Sequence, residues 1–508
     1  MRQLLSFIPA ALLASLATAQ AEQPALPKIE GPIAESASSH AFLSSAHLKQ
    51  PIDLSKYGYI EEEYLISGDA RVFGWPDGRT APPTLATGHY TTRILVRRPK
   101  DDSKFNGTAI VEPMNPSSPV DLPIMWAESY SQFMADGYAW VGITIKPNTI
   151  KALKKFDPAR YGALAMPHPS SGPTCGAKDI NSWAQPTTPA DETGLAWDIL
   201  NEVGALLKAT SADNPLSRRA DRLYMTGQSQ TAGYARTYAT FFGLTEKAPD
   251  GHPLYDGYLY SGSPPWQVPL SQCLKGFSPG DPRLLTGPAG VPVIELFTQG
   301  DIGSNIETRR PDSDKAPDLY RRYEIAGASH VDPWEQKSFA SEQDMVRASG
   351  QTNPITEADC EPKNVTPSNF PTRYVFDAAW RNLDDWVNKG VPAPHAPWLK
   401  LRPDAAKNFR PDQSFIVDRY GNAEGGIRTP YVDVPTARWI GAKSPSFQCM
   451  FEGYKYDFDQ STLKKMYPTH DAYVTKVRRD ADNLMKGKWL TPTDAAAIVD
   501  EATRASIP

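Results

Sequence analysis

Asp221-Arg222-Leu223-Tyr224-Met225-Thr226-Gly227-Gln228-Ser229-Gln230-Thr231-Ala232-Gly233 reads as a short β-strand, a turn, and the start of a helix that continues through Tyr234-Ala235-Arg236-Thr237-Tyr238-Ala239. Ser229 falls on the turn. A sharp strand-to-helix turn with glycine two residues before a serine lifts the hydroxyl clear of the sheet, where it can act as a nucleophile. The tight backbone leaves little room for a Cβ at Gly227. The second glycine of a Gly-x-Ser-x-Gly pattern is replaced by Thr231. The competing reading is a serine that only caps the helix after a buried strand. The rest of the chain decides between the two.

Upstream, residues 107–112 predict a short apolar strand that ends in the loop Pro113-Met114-Asn115-Pro116-Ser117-Ser118-Pro119. Residues 121–136 then predict a helix and 138–145 a buried strand. Strand, helix and strand in that order make a βαβ unit, hence a parallel sheet with right-handed crossovers. Residues 59–66 and 90–98 predict further strands, the second alternating with period two, which suits an antiparallel edge. Alternation resumes with a helix over 193–209, the opening strand and helix, and strands over 255–261, 291–298 and 319–326. An amphipathic helix over 373–388 closes this unit. Residues 146–192 and 262–290 lack clear periodicity and are expected to be lid-like insertions over a pocket. The 48 prolines favour long ordered loops over an all-helical chain. The tail predicts helices near 461–486 and 492–505.

With 508 residues the chain can bury a large core. Its net charge of −5 is dispersed without long like-sign runs, which argues against a nucleic-acid or polyanion partner. Met1-Arg2-Gln3, an apolar run over 4–17 and Ala17-Thr18-Ala19 have the order of a secretory signal peptide, too short for a membrane span. Residues 1–19 are therefore expected to be a signal peptide and 20–50 a poorly ordered leader. Residues 51–508 are then the folded domain, with a core over about 51–390 and a C-terminal extension over about 391–508 packed on it. No later window predicts a membrane span, so the expected location is secreted or periplasmic. The four cysteines, Cys175, Cys273, Cys360 and Cys449, allow two disulfides in three connectivities. The favoured pairing is Cys175–Cys273, joining the insertions, and Cys360–Cys449, tying the tail to the closing helix. No pair has C-x-x-C spacing, so no metal site is predicted.

Strand 291–298 runs into Gln299-Gly300-Asp301, and strand 319–326 into Gly327-Ala328-Ser329-His330. Each delivers a chemically capable side chain at a strand's C-terminal end, where open α/β sheets place their ligand crevice. Ser229, Asp301 and His330 thus stand in the order nucleophile, acid, base. A serine hydroxyl is hardly ionised near neutral pH, so it needs a histidine to take its proton and a carboxylate to hold that ring. Glu295 and Asp332 are the competing acids, the first inside its strand and the second too close in sequence to His330. Asp301 itself also reads as a turn former after Gly300. The anion formed on acyl attack needs preorganised backbone donors. Gln230 N–H is one candidate, and Met114 or Asn115 the other, since Pro113 and Pro116 have no N–H. Trp183 and Trp266 are candidate pocket walls, although plain core packing is at least as good a reading of each.

The chain resembles the large secreted α/β-hydrolase-domain proteins. The resemblance is carried by Val111-Glu112-Pro113-Met114-Asn115, Gly137-Tyr138-Ala139-Trp140-Val141-Gly142 and Asp157-Pro158-Ala159-Arg160-Tyr161-Gly162. Further matches are the elbow over 227–230, Glu324-Ile325-Ala326-Gly327-Ala328-Ser329-His330 and Gly425-Gly426-Ile427-Arg428-Thr429-Pro430. It extends from about Tyr59 through the tail, which implies that the tail belongs to the same domain. Members usually carry Gly-Glu-Ser-Gln-Ser at the elbow, where this chain has Gln228 and Thr231. The resemblance implies an α/β-hydrolase-domain hydrolase and names no ester; the reading of Ser229, His330 and Asp301 as a serine hydrolase expects no metal or organic cofactor. The expected substrate is a small-molecule or polymer-borne carboxylic ester cleaved through an acyl-enzyme. An amidase or lactonase using the same residues, or a binding protein that kept the fold and lost turnover, are the alternatives.

Overall fold

The computed structural model describes residues 24–78, 80–180, 188–352, 360–444 and 449–508. The segment read as a signal peptide lies outside them. Among the described residues ten strands form one sheet: β1 (Lys28–Glu30), β2 (Tyr59–Phe73), β3 (Thr84–Pro99), β4 (Thr108–Pro113), β5 (Ala139–Ile143), β6 (Arg222–Gln228), β7 (Gly257–Ser261), β8 (Val293–Thr298), β9 (Ser313–Lys315) and β10 (Asp318–Ile325). Their order is β1-β2-β3-β5-β4-β6-β7-β8-β10-β9. The block from β5 to β10 is parallel. Antiparallel β1, β2 and β3 extend one side, and β9 closes the other.

Burial follows pairing. Strands β4, β5, β7 and β8 are buried at every residue, as parallel strands covered on both faces must be. Strand β3 is two strands in one: it alternates exposed and buried from Leu85 to Tyr90, then is buried throughout from Thr92 to Arg97, over the stretch where β5 joins it. That second half carries two charges into the core. Arg93 Nη1 lies 2.7 Å from Glu63 and Nη2 3.2 Å from Asp121, while Arg160 reaches the other Glu63 oxygen at 2.5 Å. Arg97 Nε pairs with Glu61 at 2.6 Å, and its guanidinium lies over the rings of Trp126 and Trp140.

These arginines explain a departure from the sequence reading. From residue 24 onward the expected poorly ordered leader is built into the fold. Lys28–Glu30 pairs with β2, and Phe42 and Leu43 are fully buried. The carbonyls of Phe42 and Leu43 accept hydrogen bonds from Arg93 and Arg97, at 2.9 and 2.7 Å. A buried guanidinium has five N–H groups to satisfy, and the leader supplies acceptors that the sheet lacks.

The insertion over 146–192 also holds more structure than its composition predicts. Pro147–Phe156 is a helix with proline in its first turn, where the missing N–H costs nothing. Ile150, Leu153 and Phe156 are buried along it. The 262–290 insertion is irregular apart from a short 3-10 turn, Pro282–Leu284. Both favoured disulfides are present, Cys175–Cys273 and Cys360–Cys449.

The tail contributes β12 (Ala437–Ile440) and β13 (Tyr454–Asp457) to a second sheet, which β11 (Thr366–Pro367), from before the closing helix, joins in the order β11-β13-β12. The helical run expected over 461–486 is two helices, Gln460–Met466 and His470–Lys486, followed by Pro492–Arg504. Pro468 causes the break by driving Tyr467 out of the helical region, to φ −133° and ψ 92°. Tyr374 of the closing helix Arg373–Lys389 joins Leu463, Tyr467, Val477 and Ile498 in a small apolar core. Ile427 extends the end of β10, donating to Glu324 O and accepting from Ala326 N–H. This close approach requires Gly426: φ is +68°, and a Cβ there would meet the Glu324 carbonyl at 2.6 Å. Among the described residues no helix is long and apolar enough to cross a membrane.

Several buried carboxyls give a pH prediction. Burial pushes Glu112, Glu202 and Glu246 each up to about 7. An acid with a higher pKa folded than unfolded binds an extra proton in the native state between the two values, so its stabilisation is lost as pH rises through that window. The unfolding midpoint in urea is expected to be lower at pH 8 than at pH 5. The drop should correspond to at least about 1.4 kcal/mol, one pKa unit from one group. A midpoint that rises over that range would contradict this account of the core.

Candidate active site

Strand β6 and the helix Gln230–Phe241 meet at Ser229, whose φ of +55° is one of few positive values at a non-glycine residue here. Strain of this kind persists only where neighbouring structure over-determines it. Ser229 N–H donates to Ser261 O of β7 at 2.9 Å. A Cβ at Gly227 would run into the Thr231 carbonyl, so glycine is required for the tight turn. The Ser229 side chain makes no capping hydrogen bond, which removes the cap reading.

That hydroxyl instead lies 2.9 Å from His330 Nε2, and His330 Nδ1 lies 2.5 Å from Asp301 Oδ1. The other Asp301 oxygen accepts from Thr298 N–H at 2.7 Å and Thr298 Oγ1 at 2.8 Å, which fixes the carboxylate plane. Asp301 is in the turn after β8, and His330 in the loop after β10. Both are buried, while Ser229 is partly open. Phe451 packs against the imidazole at 5.0 Å between ring centres, and Val331 N–H donates to Phe451 O. Cys449 anchors the same tail segment through its disulfide.

The competing acids are engaged elsewhere. Glu295 accepts from Ser263 and Tyr320 at 2.7 and 2.6 Å. Burial alone would raise its pKa, but Arg236, Arg322 and these hydroxyls outweigh that and hold the carboxyl below its usual range. Asp332 accepts the N–H groups of Trp334 and Thr372, at 2.8 and 2.9 Å. Burial pushes its pKa up.

The expected anion donors divide. Gln230 opens its helix, so its N–H is among those without an intrahelical acceptor. Met114 and Asn115 require correction. Met114 N–H is spent on Ile143 O at 2.9 Å, and Asn115 N–H on Leu122 O at 2.8 Å. Sheet register consumes the first and an isolated bridge the second. Asn115 acts through its side chain, with Nδ2 donating to Gln228 O at 2.8 Å and Oδ1 accepting from Ser117 N–H at 2.8 Å. Glu112, at the end of the same strand, accepts the N–H groups of Met125 and Trp126 and the Trp140 indole. It thereby caps the helix Ile124–Asp136, whose own N-cap position is Pro123.

Trp266 is half-buried and lines a cavity of about 440 Å³ with Phe277, Leu284 and Ile306. Gly303, two residues after Asp301 in sequence, also lines it, but none of Ser229, Asp301 or His330 does. Trp183 lies outside the described residues. Sequence reasoning missed Gln228 and Phe451 beside His330. Gln228 adjoins the serine and so carried a positional signal; Phe451 carried none.

A mostly parallel sheet with a serine elbow after one strand, and an acid and a histidine after two later ones, defines the α/β-hydrolase class of proteins. A family model described as alpha/beta hydrolase domain matches residues 29–500, and the chain belongs to that family. Solved structures resemble it distantly. Esterase Est22 is 12% identical, with 59% of this chain and 83% of that chain covered and a TM-score of 0.28. XC6422 from Xanthomonas campestris, an α/β serine hydrolase without a lid, is 10% identical over 56% and 93% of the two chains, with a TM-score of 0.25. An α/β serine hydrolase homologue from Coxiella burnetii is 10% identical over 51% and 92%, with a TM-score of 0.26. No curated protein matches the chain.

Proposed function

We propose that the protein is an exported serine hydrolase that cleaves a carboxylic ester through an acyl-enzyme. The observation that carries this reading is the continuous relay Ser229 Oγ, His330 Nε2, His330 Nδ1, Asp301 Oδ1. Ser229 Oγ attacks the ester carbonyl carbon while its proton passes to His330 Nε2. Asp301 keeps the Nδ1 proton in place and stabilises the imidazolium. Gln230 N–H faces the developing oxyanion. His330 then protonates the departing alcohol, and water repeats the sequence on the acyl-enzyme. These steps call on no group beyond the chain's own side chains, the Gln230 backbone N–H and water. Trp266, and Trp183 in the other insertion, remain candidate contacts for the substrate. Export to an oxidising compartment is supported by the two disulfides, and the tail over about 391–508 is taken as an extension of the same domain.

A panel of p-nitrophenyl esters of increasing acyl length, run beside the matching anilides and simple lactones, tests the reaction class. Esters are expected to turn over fastest. Preferential cleavage of anilide or lactone would replace the ester reading, and no turnover of any would remove it. Phe451→Ala, by freeing one face of the imidazole, is expected to lower kcat about tenfold with KM little changed, since small misplacements of a reacting group are costly. An unchanged kcat would show that the ring is held without it.

A further inference from the structure

We propose that the Gln228 side-chain amide is a positioning group for His330, holding the histidine by its backbone carbonyl and by the Nε2 edge of its ring, and favouring the neutral imidazole. Its consequence for turnover rests on the hydrolase reading above; the contact itself does not.

Gln228 is the last residue of β6 and is buried. Its Nε2 lies 3.0 Å from His330 O and 3.3 Å from His330 Nε2. Two neighbours fix which end of the amide faces the histidine, an assignment that hydrogen bonding must make. A carbonyl oxygen only accepts, so the group opposite His330 O is the NH2 end. At the far end Asn115 Nδ2, a donor, stands 3.5 Å from Gln228 Oε1 and 2.8 Å from the Gln228 carbonyl. One amide hydrogen therefore goes to His330 O, and the second faces ring Nε2.

With the Nδ1 proton held by Asp301, the neutral ring has its lone pair on Nε2. That lone pair receives the Ser229 hydroxyl at 2.9 Å and, more weakly, the Gln228 amide. Once Oγ has attacked and Nε2 carries the proton, N–H faces N–H and the amide no longer supports the ring edge. The amide thus stabilises the proton-accepting state and discourages idle protonation.

Asp301 is the carboxyl group in contact with the ring, on its Nδ1 side. Phe451 from the tail packs on the ring without charge, and Gly262 after β7 leaves open the space where a Cβ would come within 3.0 Å of its Cε1. On His330's own loop Asp332 turns to Trp334 and Thr372, and Glu128, Glu335 and Arg373 surround it.

Gln228→Glu keeps the size of the side chain and sets a carboxylate oxygen where the NH2 group was. The acid-side midpoint of kcat/KM is expected to rise by about one pH unit, the usual effect of an opposite charge at this range. Gln228→Met removes the donor without adding charge, and its midpoint should rise by less than half as much. Side-chain 15N NMR titration of His330, assigned with His330→Gln, reports the same midpoint whether or not an ester is cleaved. An upward shift in both variants supports the proposal. A His330 midpoint in Gln228→Glu within about 0.2 unit of wild type overturns it, being far below the shift such a charge produces. Should Gln228→Glu not fold, the Met variant decides: a raised midpoint supports the proposal and an unchanged one overturns it. If the NMR shift appears but wild type cleaves nothing, the hydrolase reading fails and the positioning contact stands.

Discussion

Ser229→Ala is expected to abolish turnover, lowering kcat on an activated ester by about four to six orders of magnitude, the loss typical of a nucleophile that works as one unit with its base. The fold should be untouched, because the Ser229 side chain caps nothing and alanine adds no atom at the strained φ. Steady-state kinetics with matched circular dichroism check this. Activity remaining within tenfold of wild type would mean that another group does the chemistry. Any slow residual hydrolysis should need Gln230 N–H and the site's shape alone, as expected when oxyanion donors and binding survive loss of the nucleophile.

The largest effect on stability is expected at Arg93, far from the serine. Its guanidinium is fully buried between Glu63 and Asp121 and also donates to Phe42 O and Thr144 Oγ1. Arg93→Met leaves Asp121 in the core without its cation, Glu63 with Arg160 alone, and two acceptors short of a donor. Breaking a buried pair from one side costs about 3–5 kcal/mol, and the urea midpoint should fall accordingly. The amino-terminal segment should loosen first, since Phe42 is held through this residue, and limited proteolysis before residue 50 would report it. A loss below about 1 kcal/mol would show that the network contributes little, as many exposed pairs do.

What the sequence revealed and what it hid divide along physical lines. Residues 107–112 and 291–298 are apolar runs bounded by turn signals, so their strands could be placed, and with the second came the position of Asp301. His330 followed in the same way from 319–326. The elbow was legible because glycine, serine and a helical continuation stand at fixed spacing. Long-range hydrogen bonding was not legible. Nothing in Ala41-Phe42-Leu43 announces that Arg93 and Arg97 will claim its carbonyls. Nothing in Pro113-Met114-Asn115 announces that both N–H groups are consumed by Ile143 and Leu122. The helix Pro147–Phe156 had its apolar spacing in plain view at Ile150, Leu153 and Phe156, but the surrounding prolines and serines obscured it. Phe451 reaches His330 only because the tail folds back across the loop after β10, a contact between segments distant in sequence.

The central claim is that Ser229 is a nucleophile activated by His330. Reaction of the folded protein with a fluorophosphonate, followed by digestion and mass spectrometry, tests it most directly. The account predicts one adduct per chain, on the peptide carrying Ser229, formed much more slowly in His330→Gln. An adduct on a different serine, no adduct at all, or equal rates with and without His330 would contradict it.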